Sequence, residues 1–229
     1  MNPERSGLVP GLYLVSTPIG NARDITLRAI DVLRGADVLA AEDTRSLKRL
    51  MEILGIPLGE RPCLAYHDHN GAKMRPRLMA LLAGGKSVAY ASEAGTPMIS
   101  DPGFDLARAA REEGHAVTAA PGVSAVITAL TLAGLPTDRF LFAGFLPNAK
   151  GARRTALSAL RQEAATLAFY ESPKRLGAML ADAATALGGE RRAAVCRELT
   201  KRFEEVREGT LDELASIYAE TPPRARSWC

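Results

Sequence analysis

The sequence predicts an α/β protein. Short apolar runs rich in Val, Leu and Tyr alternate with amphipathic helical patterns from Gly11 onward, which is typical of a parallel sheet covered by helices. The apolar runs also end in turn residues. In "VAYASEAGTPMISDPG" at 88–103, Gly and Pro exclude an immediate helix after the strand. With 229 residues and 47% apolar content, the chain can bury one large core or two small ones.

Five strands are predicted in a first domain, which we place at residues 1–121. In order they are "GLYLVST", "DVLAAED", "CLAYH", "SVAYAS" and "HAVTAA". The helical patterns between them are "TLRAIDVLRGA", "TRSLKRLMEILG", "AKMRPRLMALLAGG" and "FDLARAAREEG". A turn at Pro121-Gly122 then leads into "VSAVITALTLAG", a helix that is apolar on all sides and therefore needs covering on most of them.

The alternation continues in a second domain, placed at residues 122–229. The strand "RFLFAGFLP" precedes the basic helix "KGARRTALSALRQEA" and the strand "TLAFYES". Ser172 is expected to cap the next helix, with Pro173 in its first turn. "AAVCREL" and "FEEVREGT" predict two successive strands that can form a hairpin. A helix with a capping box of Thr210 and Glu213 follows them.

Composition excludes several classes of protein. The three scattered cysteines form no CxxC pair, so neither a zinc site nor a disulfide framework is indicated, and we expect a reducing, cytoplasmic location. Residues 1–10 lack the apolar core of a secretory signal. The uncharged run at 116–137 is interrupted by Pro and Gly, which argues against a membrane span. The net charge of +3 suits both an ordinary surface and a polyanionic partner.

Familiar catalytic and binding motifs are not found. "AGGKS" at 83–87 ends like a phosphate-binding loop, but its spacing fails and it precedes a strand. His67 and His69 in "YHDHN" lie two apart without a further ligand cluster, so we expect no metal. The sequence contains neither the GxSxG motif of hydrolases nor the GxGxxG motif of nicotinamide-binding proteins.

What remains is a set of loops at predicted strand ends. They are "STPIGN", "AEDTR", "YHDHN", "SEAGTPMISDPG", "PGVSA" and "FYESPKR". Ordinary turn and capping chemistry accounts for many of these residues one by one. In open α/β sheets, however, ligands bind outside the carboxyl ends of the strands. The set as a whole therefore predicts a small-molecule pocket.

In their order and wording, these loops resemble the tetrapyrrole methylase superfamily of S-adenosylmethionine-dependent methyltransferases. "LYLVSTPIGNARDITLRAIDVL", "GFLP" and "ELTKRFEEVREGTL" extend the resemblance to roughly residues 12–217. The resembling branch methylates the 2′-hydroxyl of a cytidine ribose in the decoding region of 16S rRNA. The resemblance implies two α/β domains of the tetrapyrrole methylase type, with the cofactor in the cleft between them, and a homodimer.

The resemblance also implies a cofactor pocket. Its residues in this chain would be Pro18, Glu93, Gly95, Thr96, Ser124, Ala125, Phe169 and Tyr170. "SEAGTP" would lie under the methionine and ribose parts of the cofactor, with Gly95 and Thr96 allowing close approach of the backbone. The family usually has Asp where this chain has Glu93, so the backbone role is the firmer expectation.

Transfer of an activated methyl group needs alignment and a base, and it needs no metal. The candidate bases are Glu42, Asp43, Asp101, Glu171, Lys201 and Glu204, and the sequence does not choose among them. Cations in or beside the matching motifs would position RNA phosphates, namely Arg45, Lys174, Arg175, Lys201 and Arg202. Two alternatives stay open: a methylase acting on a tetrapyrrole carbon, and a non-catalytic ribosome-binding homologue.

The end of the chain departs from the resemblance. The resembling proteins continue with a glycine, an acid and an apolar strand, whereas this pattern stops before "RARSWC" at 224–229. We expect a shortened second domain without its last strand and C-terminal segment. A deletion of one nucleotide in a GC-rich gene would produce these six residues.

Overall fold

The computed structural model describes residues 7–67, 69–99 and 103–220. Two compact units are present, one up to Ser124 and the other from Ala125. The candidate base Asp101 and the terminal stretch 224–229 lie outside the described residues.

The first unit is built on a parallel five-stranded sheet. Its strands are β1 (Gly11–Val15), β2 (Val38–Ala41), β3 (Cys63–Ala65), β4 (Ser87–Ala91) and β5 (Val117–Ala120). Its helices are α1 (Leu27–Gly35), α2 (Thr44–Ile53), α3 (Gly71–Ala83) and α4 (Phe104–Glu112). The strand order is β3-β2-β4-β1-β5, with every pair parallel. The prediction of five strands in this part of the chain is confirmed.

Helices cover the two faces of this sheet. Helices α1 and α2 place Leu33, Leu47 and Met51 on one face. Helices α3 and α4 place Leu78 and Leu106 on the opposite face. All residues of β4 are buried, as expected for a central strand between two helical layers. Because β1 and β4 are neighbours whose following helices, α1 and α4, lie on opposite faces, a crevice opens where these two strands end.

The second unit combines helices with two pairs of strands. Its helices are α5 (Ala125–Leu132), α6 (Lys150–Ala159), α7 (Leu176–Leu187) and α8 (Leu211–Glu220). Its strands are β6 (Phe140–Phe145), β7 (Thr166–Tyr170), β8 (Arg192–Arg197) and β9 (Glu205–Thr210). β6 and β7 pair in parallel, and β8 and β9 form the predicted antiparallel hairpin.

Two predicted helix starts have different outcomes. The capping box is confirmed, because the Glu213 amide donates to Thr210 Oγ1 at 3.2 Å and the Thr210 amide donates to Glu213 Oε2 at 2.8 Å. The cap at Ser172 is wrong, since α7 begins at Leu176. Glu171 Oε1 accepts the Ser172 amide at 2.7 Å, and the Ser172 carbonyl accepts the Arg175 amide at 3.0 Å. Ser172 therefore forms a turn ahead of the helix.

No helix among the described residues combines the length and the apolar content that a membrane crossing requires.

Candidate functional site

Three loops of the first unit meet at the carboxyl edge of its sheet, after β1, β4 and β5. The Thr17 amide donates to the Gly95 carbonyl at 2.9 Å, and the Gly95 amide donates to the Thr17 carbonyl at 3.0 Å. Thr96 Oγ1 donates to the Val123 carbonyl at 2.9 Å, which ties in the loop after β5. The junction lies at the crevice between β1 and β4, where ligands bind in sheets of this type.

Short neutral side chains fasten this junction. Thr17 Oγ1 donates to the Ser92 carbonyl at 3.3 Å, and Ser92 Oγ donates to the Gly95 carbonyl at 2.7 Å. Ser16 Oγ donates to Thr96 Oγ1 at 3.3 Å. Because hydroxyl groups and backbone atoms make these bonds, the loops are fixed without long charged side chains. The backbone thus stays within reach of a ligand.

Glycine is required at two positions of the junction. Gly95 is buried at φ +81°, where a Cβ would lie 3.3 Å from Ile19 Cγ2 and 3.7 Å from the Val123 carbonyl oxygen. At Gly122 a Cβ would lie only 2.8 Å from Ser16 Cβ, so a side chain would push the loops after β1 and β5 apart. The two glycines therefore let the loops join, and the expected contact of the "SEAGTP" backbone with a ligand stays a prediction.

Charged residues border the junction. Glu93 is exposed, two residues before Gly95. Asp43 caps α2 by accepting the Arg45 amide at 2.8 Å, and it accepts Arg45 Nη2 at 2.9 Å. These bonds, led by the Arg45 side chain, hold the pKa of Asp43 below its ordinary value. Asp43 mainly raises the pKa of Arg45, and Glu93 contributes to the rise, so Arg45 lies within electrostatic reach of Glu93.

In the second unit, arginines hold the loop that follows β6. Arg175 donates to the carbonyls of Leu146 at 2.9 Å and Pro147 at 3.1 Å, and it also hydrogen bonds to the Asn148 side chain. Its guanidinium group pairs with Glu171 Oε2 at 3.1 Å, and the Glu171 side chain is only 5% exposed. Two candidates from the sequence, one base and one RNA contact, therefore bind each other.

A second charged cluster adjoins this loop. Arg153 donates to the Asn148 carbonyl at 3.2 Å and to Asp182 Oδ2 at 2.6 and 2.8 Å. Arg154 donates to Asp182 Oδ1 at 2.6 Å. Burial opposes ionisation of Asp182, but the two arginines outweigh it and hold the pKa of this carboxyl below its ordinary value. The sequence analysis missed this cluster, although an Asp inside the apolar pattern "LGAMLADAATAL" is a signal for a buried pair.

The loop between β8 and β9 carries the remaining candidates. Lys201 pairs with Glu198 at 3.7 Å, and Glu204 accepts the Thr200 amide at 2.7 Å. Glu198 and Thr200 have φ values of +51° and +63°, which are unusual for residues with a side chain. The exposed Arg202 guanidinium lies over the neighbouring Phe ring, 5.5 Å from its centre. Glu204 thus fixes the backbone of this loop, and the Lys201 side chain lies near that of Glu198 without a hydrogen bond to it.

The predicted residues fall into two groups. Five of the pocket residues lie on the loops that meet in the first unit: Pro18, Glu93, Gly95, Thr96 and Ser124. Glu42, Asp43 and Arg45 follow β2 at the same edge of the sheet. The second unit holds the others: Ala125, Phe169, Tyr170, Glu171, Lys174, Arg175, Lys201, Arg202 and Glu204. The roles of all these residues stay predictions.

Of the two aromatic pocket candidates, Tyr170 packs against phenylalanines of β6. The Tyr170 ring lies 4.8 Å from Phe142 and 5.6 Å from Phe145, centre to centre, in edge-on contacts. His67 and His69 likewise face each other at 6.0 Å. Within the part of the chain that the structure describes, no three His, Cys, Asp or Glu side chains gather in a way that would hold a metal ion.

Comparison with known proteins gives a consistent family. The family model of the tetrapyrrole (corrin/porphyrin) methylases matches residues 11–215. A ribosomal RNA small subunit methyltransferase I from Mesorhizobium japonicum is 54% identical over 93% of this chain and 71% of its own length. A protein of the same name from Pseudomonas aeruginosa is 48% identical over 95% of this chain and 76% of its own length.

A solved structure supports the fold. The uroporphyrin-III C-methyltransferase from Thermus thermophilus, complexed with S-adenyl homocysteine, superposes with a TM-score of 0.61 at 19% identity. The match covers 95% of this chain and 94% of that chain.

Proposed function

The chain belongs to the tetrapyrrole methylase family, and on this premise we propose that it transfers the methyl group of S-adenosylmethionine to the ribosomal RNA of the small subunit. The observation that carries the proposal is the high identity to relatives named for that activity. We further propose that the acceptor is the 2′-hydroxyl of a cytidine ribose in the decoding region of 16S rRNA, as the sequence resemblance implies.

The loops of the first unit suit S-adenosylmethionine. Gly95 lets these loops close on one another at the carboxyl edge of the sheet, because a Cβ there would meet Ile19 and the Val123 carbonyl. The exposed Glu93 carboxylate offers a hydrogen-bond acceptor to the ammonium or ribose hydroxyl groups of such a ligand. Within the described residues Glu93 makes no ion pair or hydrogen bond, so it is available for this contact. The remaining pocket roles carry over from the resemblance.

Positioning is the main catalytic task of this chain. When bound, S-adenosylmethionine supplies a sulfonium methyl group that is already activated for transfer. No residue of the protein has to act as a nucleophile. Side chains and backbone have to hold the ribose oxygen in line with the methyl carbon, which is worth up to about 7–11 kcal/mol in ideal cases. The hydroxyl bonds around Thr96 and Ser92 give the junction the rigidity that this alignment needs.

We favour Glu42 as the general base. It follows β2, the strand beside β4, at the carboxyl edge where the three loops meet. Asp43 is a poorer base because Arg45 keeps its pKa low. Replacing Glu42 by Gln should lower kcat about 10²- to 10⁴-fold and leave the affinity for S-adenosylmethionine unchanged. An unchanged kcat would reject this assignment.

The proposal is tested by methyl transfer to defined substrates. The full chain is incubated with methyl-labelled S-adenosylmethionine and small ribosomal subunits that lack the modification. Label in a 16S rRNA ribose, mapped to one cytidine, is the expected result. Label in a porphyrinogen supplied separately would favour the tetrapyrrole alternative. Cofactor binding with no transfer to either substrate would favour a non-catalytic ribosome-binding protein.

Salt dependence provides a second test. Charge reversal at Lys201 together with Arg202 should weaken binding to small subunits and leave cofactor affinity intact, because these residues would contact phosphates. Rising ionic strength should have the same effect. Subunit binding that is insensitive to salt would contradict the electrostatic contact. A homodimer, also implied by the resemblance, is checked by light scattering.

A further inference from the structure

We propose that the exposed face of α2 and the groove beside it bind phosphates of the RNA that flanks the modified nucleotide. We call this surface the α2 groove. Its cations are Arg45, Lys48 and Arg49. The inference rests on the proposed function and assigns to it an RNA-binding surface that includes two cations, Lys48 and Arg49, absent from the sequence predictions.

Helical spacing puts these cations on one face. Lys48 and Arg49 follow Arg45 by three and four residues, so their side chains lie next to each other along the helix. The buried residues of α2, Leu47 and Met51, point to the sheet. The cations are therefore presented to solvent over about one helical turn, a length that matches two successive phosphates of an RNA strand.

The groove beside this face has a cavity volume of about 700 Å³. Apart from the cations, its walls are Met51, Glu52, Gly55, Ile56, Pro57 and Leu58. Apolar walls with a cationic rim complement a nucleic acid strand, whose bases and sugars have apolar faces and whose phosphates are negative. Three cations against one acid leave the rim positive.

The rim cations are available to phosphates. Arg49 Nη1 lies 2.6 Å from Glu52 Oε2, but both side chains are about 70% exposed, and such surface pairs contribute only about 0–1 kcal/mol. No acid pairs with Lys48 within the described residues. Arg45 is held by Asp43 and is 90% exposed. A phosphate can therefore replace or join the present partners.

The α2 groove starts at the edge of the sheet where the candidate site lies, because α2 begins at Thr44, directly after β2, the strand beside β4. Glu93, on the loop of Gly95, acts electrostatically on Arg45 at the first turn of α2. RNA whose target ribose reached the junction would thus meet the cations of α2 at once. This continuity distinguishes α2 from α3, which carries Lys73 and Arg77 on the opposite face of the sheet.

The test compares two double variants in the full chain. Lys48→Gln with Arg49→Gln neutralises the α2 groove, and Lys73→Gln with Arg77→Gln removes the same two residue types from α3. Binding to unmodified small subunits is measured between about 50 and 200 mM salt, with S-adenosylmethionine affinity and thermal midpoint as checks on folding. We expect the α2 variant to bind about tenfold more weakly and the slope of log K against log salt to become less steep by about 1.4–1.8, the loss of two phosphate contacts. The α3 variant should match the unmodified chain.

Equal binding by the two double variants would overturn the inference. If the α2 variant instead changes the molar mass in light scattering while subunit binding persists, the groove is a contact between copies of the chain. An unmodified chain that neither methylates nor binds small subunits would refute the proposed function itself, so the two failures are distinguishable.

Discussion

The two units fix the loops at their strand ends by different means. In the first unit, hydroxyl groups and backbone atoms join the loops, as in the bond from Thr96 to the Val123 carbonyl. In the second unit, arginines and buried acids do this work, as in the pair of Arg175 with Glu171 and that of Arg153 with Asp182. Hydrogen bonds from hydroxyl groups leave the backbone accessible to a ligand. Ion pairs, in contrast, occupy the cations and acids that form them, so these groups are less available to a ligand.

This difference bears on how the charged residues of the sequence are interpreted. Arg175 and Glu171 were candidates for RNA binding and proton transfer, and both are committed to the protein itself. Lys174, the neighbour of Arg175, is exposed. Arg175 is half-buried and donates to two carbonyls, so it is less available to a phosphate than Lys174. We therefore expect these adjacent residues of the same charge to differ in function, and the following variants test the contrast between the units.

The largest effect is expected at Gly95. Replacement by Val adds a side chain at φ +81° and places its Cβ 3.3 Å from Ile19, so the junction has to open. We expect affinity for S-adenosylmethionine to fall at least about 100-fold, or about 2.7 kcal/mol. Isothermal calorimetry measures this.

The matched control is Gly114→Val. Gly114 has nearly the same φ, +79°, but a Cβ there would meet nothing within 4 Å. The Gly114→Val variant should have similar backbone strain at the substituted residue and should bind the cofactor with unchanged affinity. Unchanged affinity in a folded Gly95→Val variant would remove the junction from the pocket.

The next largest effect is expected at the buried ion pair of the second unit. Asp182→Asn leaves the buried Arg153 without its counter-charge, and we expect the free energy of unfolding to fall by about 3–5 kcal/mol. Asp105→Asn, which removes an exposed surface acid, should cost less than about 1 kcal/mol. Denaturant titration compares the two. Equal free energies of unfolding for the Asp182→Asn and Asp105→Asn variants would show that the buried pair does not stabilise this unit.

The same pair predicts a pH dependence. The folded state lowers the pKa of Asp182, so its stabilising contribution is complete above the unfolded value of about 3.9. That contribution is lost as the pH falls through the lower folded value. The stability difference between the unmodified chain and Asp182→Asn should therefore be large at pH 7 and shrink below about pH 4. A difference that grows in acid would have the wrong sign for this mechanism.

A smaller effect is expected at the hydroxyl hydrogen bonds that join the loops of the first unit. Thr96→Val keeps the shape and removes the hydroxyl that bonds to the Val123 carbonyl, which should cost about 0.5–1.5 kcal/mol of stability. Cofactor affinity should fall several-fold as the loops loosen. Thr118→Val, at an exposed position of β5, serves as the control and should change neither quantity. Identical thermal midpoints and affinities in both variants would show that the hydroxyl does not fasten the junction.

The smallest effect separates two neighbouring cations. Lys174→Gln should make the slope of log K against log salt for subunit binding less steep by about 0.7–0.9, which corresponds to the loss of one phosphate contact. Arg175→Gln should leave that slope unchanged and lower the thermal midpoint, because the carbonyls of Leu146 and Pro147 lose their donor. The reverse pattern would mean that Arg175 is available to RNA after all.

Much of this architecture follows from the sequence alone. Apolar runs with turn residues after them predicted the five strands of the first unit, since a buried parallel strand needs apolar residues on both faces. Thr210 and Glu213 predicted the start of α8 because a capping box is a local interaction. The resemblance implies a backbone role for "SEAGTP", and its Gly95 has a φ of +81°, which few residue types other than Gly tolerate.

The tertiary structure decided what local patterns do not contain. The order β3-β2-β4-β1-β5 brings the loops after β1 and β4 together, although about 80 residues separate Ser16 from Thr96. Tertiary contacts also decided which charged side chains bind other parts of the protein, as in the pair of Asp182 with an arginine on another helix. Ser172 forms a turn held by Glu171 and does not cap the following helix. The physical reason is that caps and turns depend on residues close in sequence. Whether a charged side chain is available to a ligand depends instead on which side chains, distant in sequence, pair with it in the fold.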